Sequence, residues 1–217
     1  MENQNRFNSK GITLIELLIA LAIFGIVVAG IYRLFTAQSK AYTVQDQVVD
    51  VQQSIRSAIE ILLRDIRMTG SDDDNINSTI TIDNPIVYPL KDDSITVNYE
   101  YYDKTDLISP YKKYTVRYWR DVAAQELIRQ LTINDVAGPQ DILLDNVDAF
   151  NLVYGVDTNE DGAVDNWVSA AGVGSNKVIA VRVTLTARPT QVNPDLQMVS
   201  PRTLVSAITL RNLCWNR

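Results

Sequence analysis

Oxygen-bearing side chains recur in one short stretch, Asp157-Thr158-Asn159-Glu160-Asp161-Gly162-Ala163-Val164-Asp165, at relative positions 1, 3, 5 and 9 with glycine at 6. Alternate residues of a tight turn converge their oxygens and glycine permits the sharp bend. A hard cation such as calcium takes several such oxygens at about 2.3 to 2.6 Å. The spacing points to calcium held by the side chains of Asp157, Asn159, Asp161 and Asp165 and by the Ala163 carbonyl. Position 12 is Val168, so the bidentate glutamate that completes an EF-hand is absent, and Leu152 to Val156 does not read as an entering helix. A free EF-hand is excluded. The same residues also build an Asp/Asn-rich turn between strands, their side chains satisfying their own backbone. Both readings stand on the sequence. Asp72-Asp73-Asp74 reads as a solvated charge run.

The remaining chemistry is defined by what is missing. There is no histidine, which removes Ser-His-Asp and Cys-His nucleophile pairs, imidazole metal sites and histidine bases. Cys214 is the sole cysteine and has no partner for an intrachain disulfide. No recognisable nucleophile motif joins the carboxylates, serines and lysines, so the chain is expected not to be an enzyme. Twenty basic residues against 26 acidic ones give a net charge of −6, which argues against a nucleic-acid partner.

The other chemically informative residue is Glu16, set in an otherwise uncharged apolar run from Ile12 to Tyr32. These 21 residues form a helix of about 30 Å, the hydrocarbon thickness of a bilayer. Arg6 and Lys10 precede the span and Arg33 and Lys40 follow it. Charge bias orients it only weakly, and the large acidic C-terminal part favours the N-terminus inside. A secretory signal peptide would place a small-residue cleavage site after the run. Ala29-Gly30-Ile31 and Thr36-Ala37-Gln38 can be forced into that role, but Lys10-Gly11 before the run and Glu16 inside it then go unexplained. A carboxylate in hydrocarbon costs about 2.5 to 3.5 kcal/mol on insertion scales. Glu16 therefore needs either the interface and the positive helix N-terminus or a cationic partner.

With 217 residues, the chain has room for one globular domain and an appendage. Apolar residues at Val44, Val48, Val51, Ile55, Ile59, Leu62 and Ile66 continue a helical stripe beyond the span. Asp46, Asp50, Gln52, Gln53, Arg56, Glu60, Arg64 and Asp65 are assigned to the opposite, solvated face. One helix is predicted from about Ile12 to Met68, softened at Gly25 and Gly30 and capped by Gly70. Strands are predicted at Ile95–Tyr101, Tyr114–Trp119, Glu126–Leu131, Val147–Tyr154, Lys177–Ala187 and Thr203–Leu210, between Pro, Gly, Asn and Asp clusters. The fold class is α+β: a long N-terminal helix, its first half transmembrane, packed on a mostly antiparallel sheet.

Lys10-Gly11-Ile12-Thr13-Leu14-Ile15-Glu16-Leu17-Leu18 resembles the class III signal of type IV pilins and type II secretion pseudopilins, with Ile12 where phenylalanine is commonest. The resemblance implies a prepilin peptidase that cuts between Gly11 and Ile12 and methylates the new amine of Ile12. It also implies that Glu16 pairs with the α-amino group of a neighbouring subunit during assembly. The segments become a cleaved leader (1–11), a transmembrane segment (12–32), an amphipathic helix half (33–69) and a β-rich, pilin-like head (70–217). Tyr154 to Asp165 and Thr203 to Asn212 are similar to segments of PilW-type minor pilins, whereas much of Thr79 to Asn146 has no recognisable counterpart. The implied role is a minor pilin that starts or caps a filament, with other pilin or minor pilin subunits as partners. Its implied location is a single pass of the inner membrane with a periplasmic head, then an extracellular pilus. The alternatives are a J-type minor pseudopilin of type II secretion and a membrane-anchored, calcium-dependent binding protein.

The mature chain is expected to begin at methylated Ile12. Loss of Glu2, Arg6 and Lys10 with the leader moves the net side-chain charge from −6 to −7. Mass spectrometry of protein from its native membrane checks this, and Gly11→Ala should leave the leader attached. An N-terminal peptide beginning at Met1 in the wild-type protein would refute it.

Overall fold

Apolar residues at three- and four-residue spacing carry a single helix, α1, over Leu14–Arg67. The computed structural model of the chain describes residues 11–72, 78–190 and 200–214. The leader residues up to Lys10, and Asp73 and Asp74 of the acidic run, lie outside the described residues. α1 passes through Gly25 and Gly30 without a break, so the softening expected there is absent. The structure divides into two units, Met1–Asp46 and Gln47–Arg217.

In the first unit every described residue up to Phe35 is exposed, including Leu14, Ile15, Leu17, Leu18, Phe24 and Ile31. α1 is long and apolar enough to cross a membrane, and its most apolar window buries nothing against the protein. An all-round apolar helix that buries nothing in its own fold has hydrocarbon or other subunits as its compatible surroundings.

The second unit is built on the rest of α1. Val51, Ile55, Ile59, Leu62 and Ile66 of the predicted stripe are buried, Ala58 is buried with them, and Val44 and Val48 are half-buried. The head contains two four-stranded antiparallel sheets where the sequence suggests one. The first, ordered β1-β2-β3-β4, comprises β1 (Ser94–Tyr102), β2 (Tyr111–Asp121), β3 (Glu126–Ile133) and β4 (Val136–Leu144). The second, ordered β6-β5-β7-β8, comprises β5 (Val147–Asp157), β6 (Asn166–Val168), β7 (Lys177–Ala187) and β8 (Arg202–Thr209). A short helix, α2 (Arg211–Cys214), follows. Strand β5 lies against β1, β2 and β3 as well as its own sheet. One core therefore joins Tyr118 and Leu127 to Phe150, Tyr154, Val181 and Leu185 and to the buried stripe of α1.

Strand β4 was not predicted, because Gly138-Pro139 reads as a break. It is an edge strand, where proline removes no central ladder bond. Leu131 stands opposite both Gly138 and Pro139 in a bulge, and a Cβ at Gly138 would lie 2.7 Å from the Leu131 carbonyl oxygen. The β3–β4 turn has Asn134 and Asp135 both at positive φ, the requirement of a two-residue hairpin turn.

The helix ends as predicted at Gly70, whose φ of 70° is the left-handed conformation glycine adopts freely. Its N–H donates to the Asn98 carbonyl of β1, and Ser71 N–H donates to the Met68 carbonyl.

Asp65 corrects the helical pattern. Assigned to the solvated face, it is only 2% exposed. The Tyr118 hydroxyl donates to Asp65 Oδ2 at 2.7 Å, and Arg129 donates to the same oxygen through Nε and Nη2, each at 2.9 Å. A buried carboxylate is tolerated where a cation and a hydroxyl replace water. Burial and the adjoining Asp65 charge push the Tyr118 phenol well above its ordinary range, so it stays a donor.

Asp65→Ala leaves the mostly buried Arg129 guanidinium with only the exposed Asp141 carboxylate, 4.0 Å away, and should cost about 3 kcal/mol. Tyr118→Phe, which removes one neutral donor, should cost about 1 kcal/mol. Urea unfolding of the two variants compares these losses. Equal losses would show that the ion pair contributes nothing beyond the phenol bond.

Candidate functional site

Two places gather the residues singled out by the sequence: the start of α1 and the β5–β6 loop. At the first, the Thr13 N–H and hydroxyl both donate to Glu16 Oε2, at 2.9 and 2.8 Å, and Glu16 N–H faces Thr13 Oγ1 at 3.4 Å. This reciprocal arrangement is a capping box, in which a threonine at the N-cap and a glutamate three residues on satisfy orphan N–H groups of the first turn. Glu16 thus lies in the first turn, where the helix dipole favours an anion. Gly11 and Ile12 precede the helix and are exposed, and a Cβ added at Gly11 would meet nothing within 4 Å. Thr13 was the residue not singled out. Its signal was present, because Thr13-Leu14-Ile15-Glu16 has the capping-box spacing immediately before an apolar run.

The β5–β6 loop begins at the end of a buried strand. Asp157 is 3% exposed, and its two carboxylate oxygens accept from the N–H groups of Glu160 and Gly162 at 2.7 and 2.8 Å. Asn159 Oδ1 accepts from Asp161 N–H at 3.1 Å, while Asp161 accepts from Ala163 N–H at 2.8 Å and from the Asn159 amide at 3.1 Å. Asp165 accepts from the Thr158 N–H and hydroxyl at 2.7 and 2.6 Å. Those two bonds, the hydroxyl's foremost, hold the Asp165 carboxyl below the usual carboxylate range. Gly162 takes a φ of 81° and Glu160 one of 61°, which the tight turn demands.

The sequence reading brought Asp157, Asn159, Asp161, Ala163 and Asp165 together as calcium donors. The structure places them in one loop, where the side-chain oxygens of Asp157, Asn159, Asp161 and Asp165 each accept a loop N–H. Among the described residues no three histidine, cysteine or acidic side chains are grouped to hold a metal ion.

Comparisons with known proteins bear on both places. The family model "Prokaryotic N-terminal methylation motif" matches residues 6–32, spanning Gly11, Ile12 and Glu16. The family model "Type IV Pilus-assembly protein W" matches residues 113–209, from β2 to the end of β8. The match includes the loop and begins well before Asn146, inside the segment left without a counterpart in the sequence reading. No curated protein matches the chain. Among solved structures it is similar to a type IV-like pilin from Thermus thermophilus, at 12% identity over 75% of this chain and 98% of that one, with a TM-score of 0.47. It is also similar to a chain from a binary complex of two pseudopilins of the type 2 secretion system of Vibrio vulnificus, at 12% identity over 75% and 92% of the chains, with a TM-score of 0.45. Two separate stretches, residues 6–32 and 113–209, thus match pilin-related family models.

Each carboxylate oxygen that accepts a loop N–H keeps a lone pair for a cation; if the turn is closed by those N–H groups alone, the chain melts at the same temperature in millimolar calcium and in chelator. Asp157→Ala should lower that temperature in both, since it leaves two loop N–H groups unpaired at a cost of about 1 to 3 kcal/mol. A rise in calcium that Asp161→Ala abolishes would instead establish a bound cation.

Proposed function

We propose that the chain is a minor pilin-like subunit, synthesised as a membrane-anchored precursor, cut between Gly11 and Ile12 by a prepilin peptidase and methylated at Ile12. Its head lies on the periplasmic side of the inner membrane, and the mature subunit joins other pilin-like subunits at the start or tip of a type IV pilus. The observation that carries this reading is the capping box of Thr13 and Glu16 at the mouth of a fully exposed apolar helix, within the stretch matched by the methylation motif.

The physical logic follows from that box. In the isolated chain Glu16 is satisfied by its own helix start, so the precursor rests in the bilayer without a partner for its charge. Cleavage places a new cationic amine on Ile12, at the positive end of the helix, where a cation is disfavoured. Two such subunits side by side hold complementary needs: an amine without an anion and a carboxylate able to supply one. Their pairing in low dielectric is strong and directional. It can also fix the axial offset of neighbouring helices, which apolar contact alone leaves free.

Two variants separate the cap from the pair. Glu16→Leu should insert normally, because it removes a charge from the apolar segment, yet it should be absent from filaments. Thr13→Ala removes the cap hydroxyl but keeps the carboxylate, and should assemble at near wild-type levels. Immunodetection in sheared filaments and in membranes measures both, and Glu16→Leu found in filaments at the wild-type level would remove the basis of the reading.

A further inference from the structure

Among the described residues of the second unit, the two most exposed large apolar side chains adjoin in sequence: Leu107 at 91% and Ile108 at 97%. They form the tip of the β1–β2 hairpin. Such exposure is costly in water and in a floppy loop would carry no specificity. Here the tip is built. Asp103 Oδ1 accepts from the Thr105 N–H and hydroxyl at 2.9 and 2.6 Å. Asp106 Oδ1 accepts from the N–H groups of Ile108 and Ser109 at 3.1 and 3.0 Å. The Lys112 ammonium joins the two turns, 3.1 Å from Asp103 Oδ2 and 3.3 Å from Asp106 Oδ2. Asp103 N–H closes the neck on the Pro110 carbonyl at 2.6 Å. Beneath, Tyr101 stacks on Tyr114 and Tyr102 leans on Tyr111, with ring centroids 4.9 and 5.1 Å apart.

All four carboxylate oxygens of the tip are thus engaged inside it, so the scaffold asks a partner for no charge while it aims two apolar side chains outward. We propose that Leu107 and Ile108 are a preorganised anchor that seats in an uncharged apolar socket on another pilin-like subunit. This deepens the reading of the chain as a filament subunit and rests on it. Rigidity gains affinity only where the partner has a fixed shape, because the ordering cost is already met before contact. A small buried apolar cluster ringed by neutral contacts is the usual energetic centre of such an interface. A bilayer fits the tip less well. It offers no fixed socket to a preorganised tip, and two side chains bury too little apolar area to hold a lipid surface.

The test uses the full chain in cells that assemble filaments containing it. Leu107→Asp/Ile108→Asp is compared with Val122→Asp, which lies between β2 and β3 and is 68% exposed. Both variants should reach wild-type levels in the membrane and melt like the wild type. The double variant should fall roughly tenfold in sheared filaments, the loss of a modest hot spot, while Val122→Asp stays unchanged. If the aspartates prevent folding, Leu107→Ser/Ile108→Ser serves the same comparison. Double variants incorporated at the wild-type level would overturn the anchor alone, whereas a wild-type chain missing from filaments would overturn the subunit reading with it. A photoreactive residue at position 108 should crosslink to another filament subunit in the wild-type background, and adducts to lipid alone would overturn the protein socket.

Discussion

Burial of one helical stripe, from Val51 to Ile66, is the interaction on which the head depends. Two antiparallel sheets each have an apolar face to cover, and the stripe shares one core with both. Each fully buried aliphatic side chain in it contributes about 1.5 to 3 kcal/mol. Asp65 adds direction to what is otherwise non-directional contact. Its bonds to Tyr118 and Arg129 set the rotation and height of the helix against β2 and β3. Between Leu17 and Tyr32 the same helix buries nothing and is apolar on all sides. A single continuous element therefore changes its solvent partway along, and the change is written in its polar residues: none between Leu17 and Tyr32, then a charged or amide side chain in almost every turn.

Much of this was legible because periodicity reports burial directly. The helix ends within two residues of its predicted bounds, and six predicted strands fall on observed ones. What escaped were elements whose reasons are tertiary. Strand β4 contains the residues that usually end strands, and exists because an edge position and a bulge accommodate them. β6 and α2 have three and four residues, too few to show a period. Asp65 looked solvated because its partners come from β2 and β3, 53 and 64 residues away.

The two functional places show the opposite sides of motif reading. The helix start is made from neighbouring residues, so the place of Glu16 in its first turn was legible from the sequence. The acidic loop has spacing that serves two ends. Alternating Asp and Asn bring oxygens inward for a cation, or turn them onto N–H groups of the same turn. Five loop N–H groups (Thr158, Glu160, Asp161, Gly162 and Ala163) find acceptors in this way, and Val168 supplies no closing ligand. Spacing alone does not count those donors.

The end of α1 is closed by the last part of the chain. The Asn212 amide donates to the Thr69 carbonyl at 3.1 Å across 143 residues of sequence, and a side chain added at Gly70 would meet Leu213 at 2.9 Å. At about 5 to 20 residues per second, those 143 residues take roughly 7 to 30 s to synthesise. During that interval the helix has left the ribosome while its covering strands are still being made. Folding of the head is therefore a late, non-local event. Truncation of the last six residues, which leaves β8 whole but removes the partner of a carbonyl near residue 70, should be felt at the end of α1 before it is felt in the sheets.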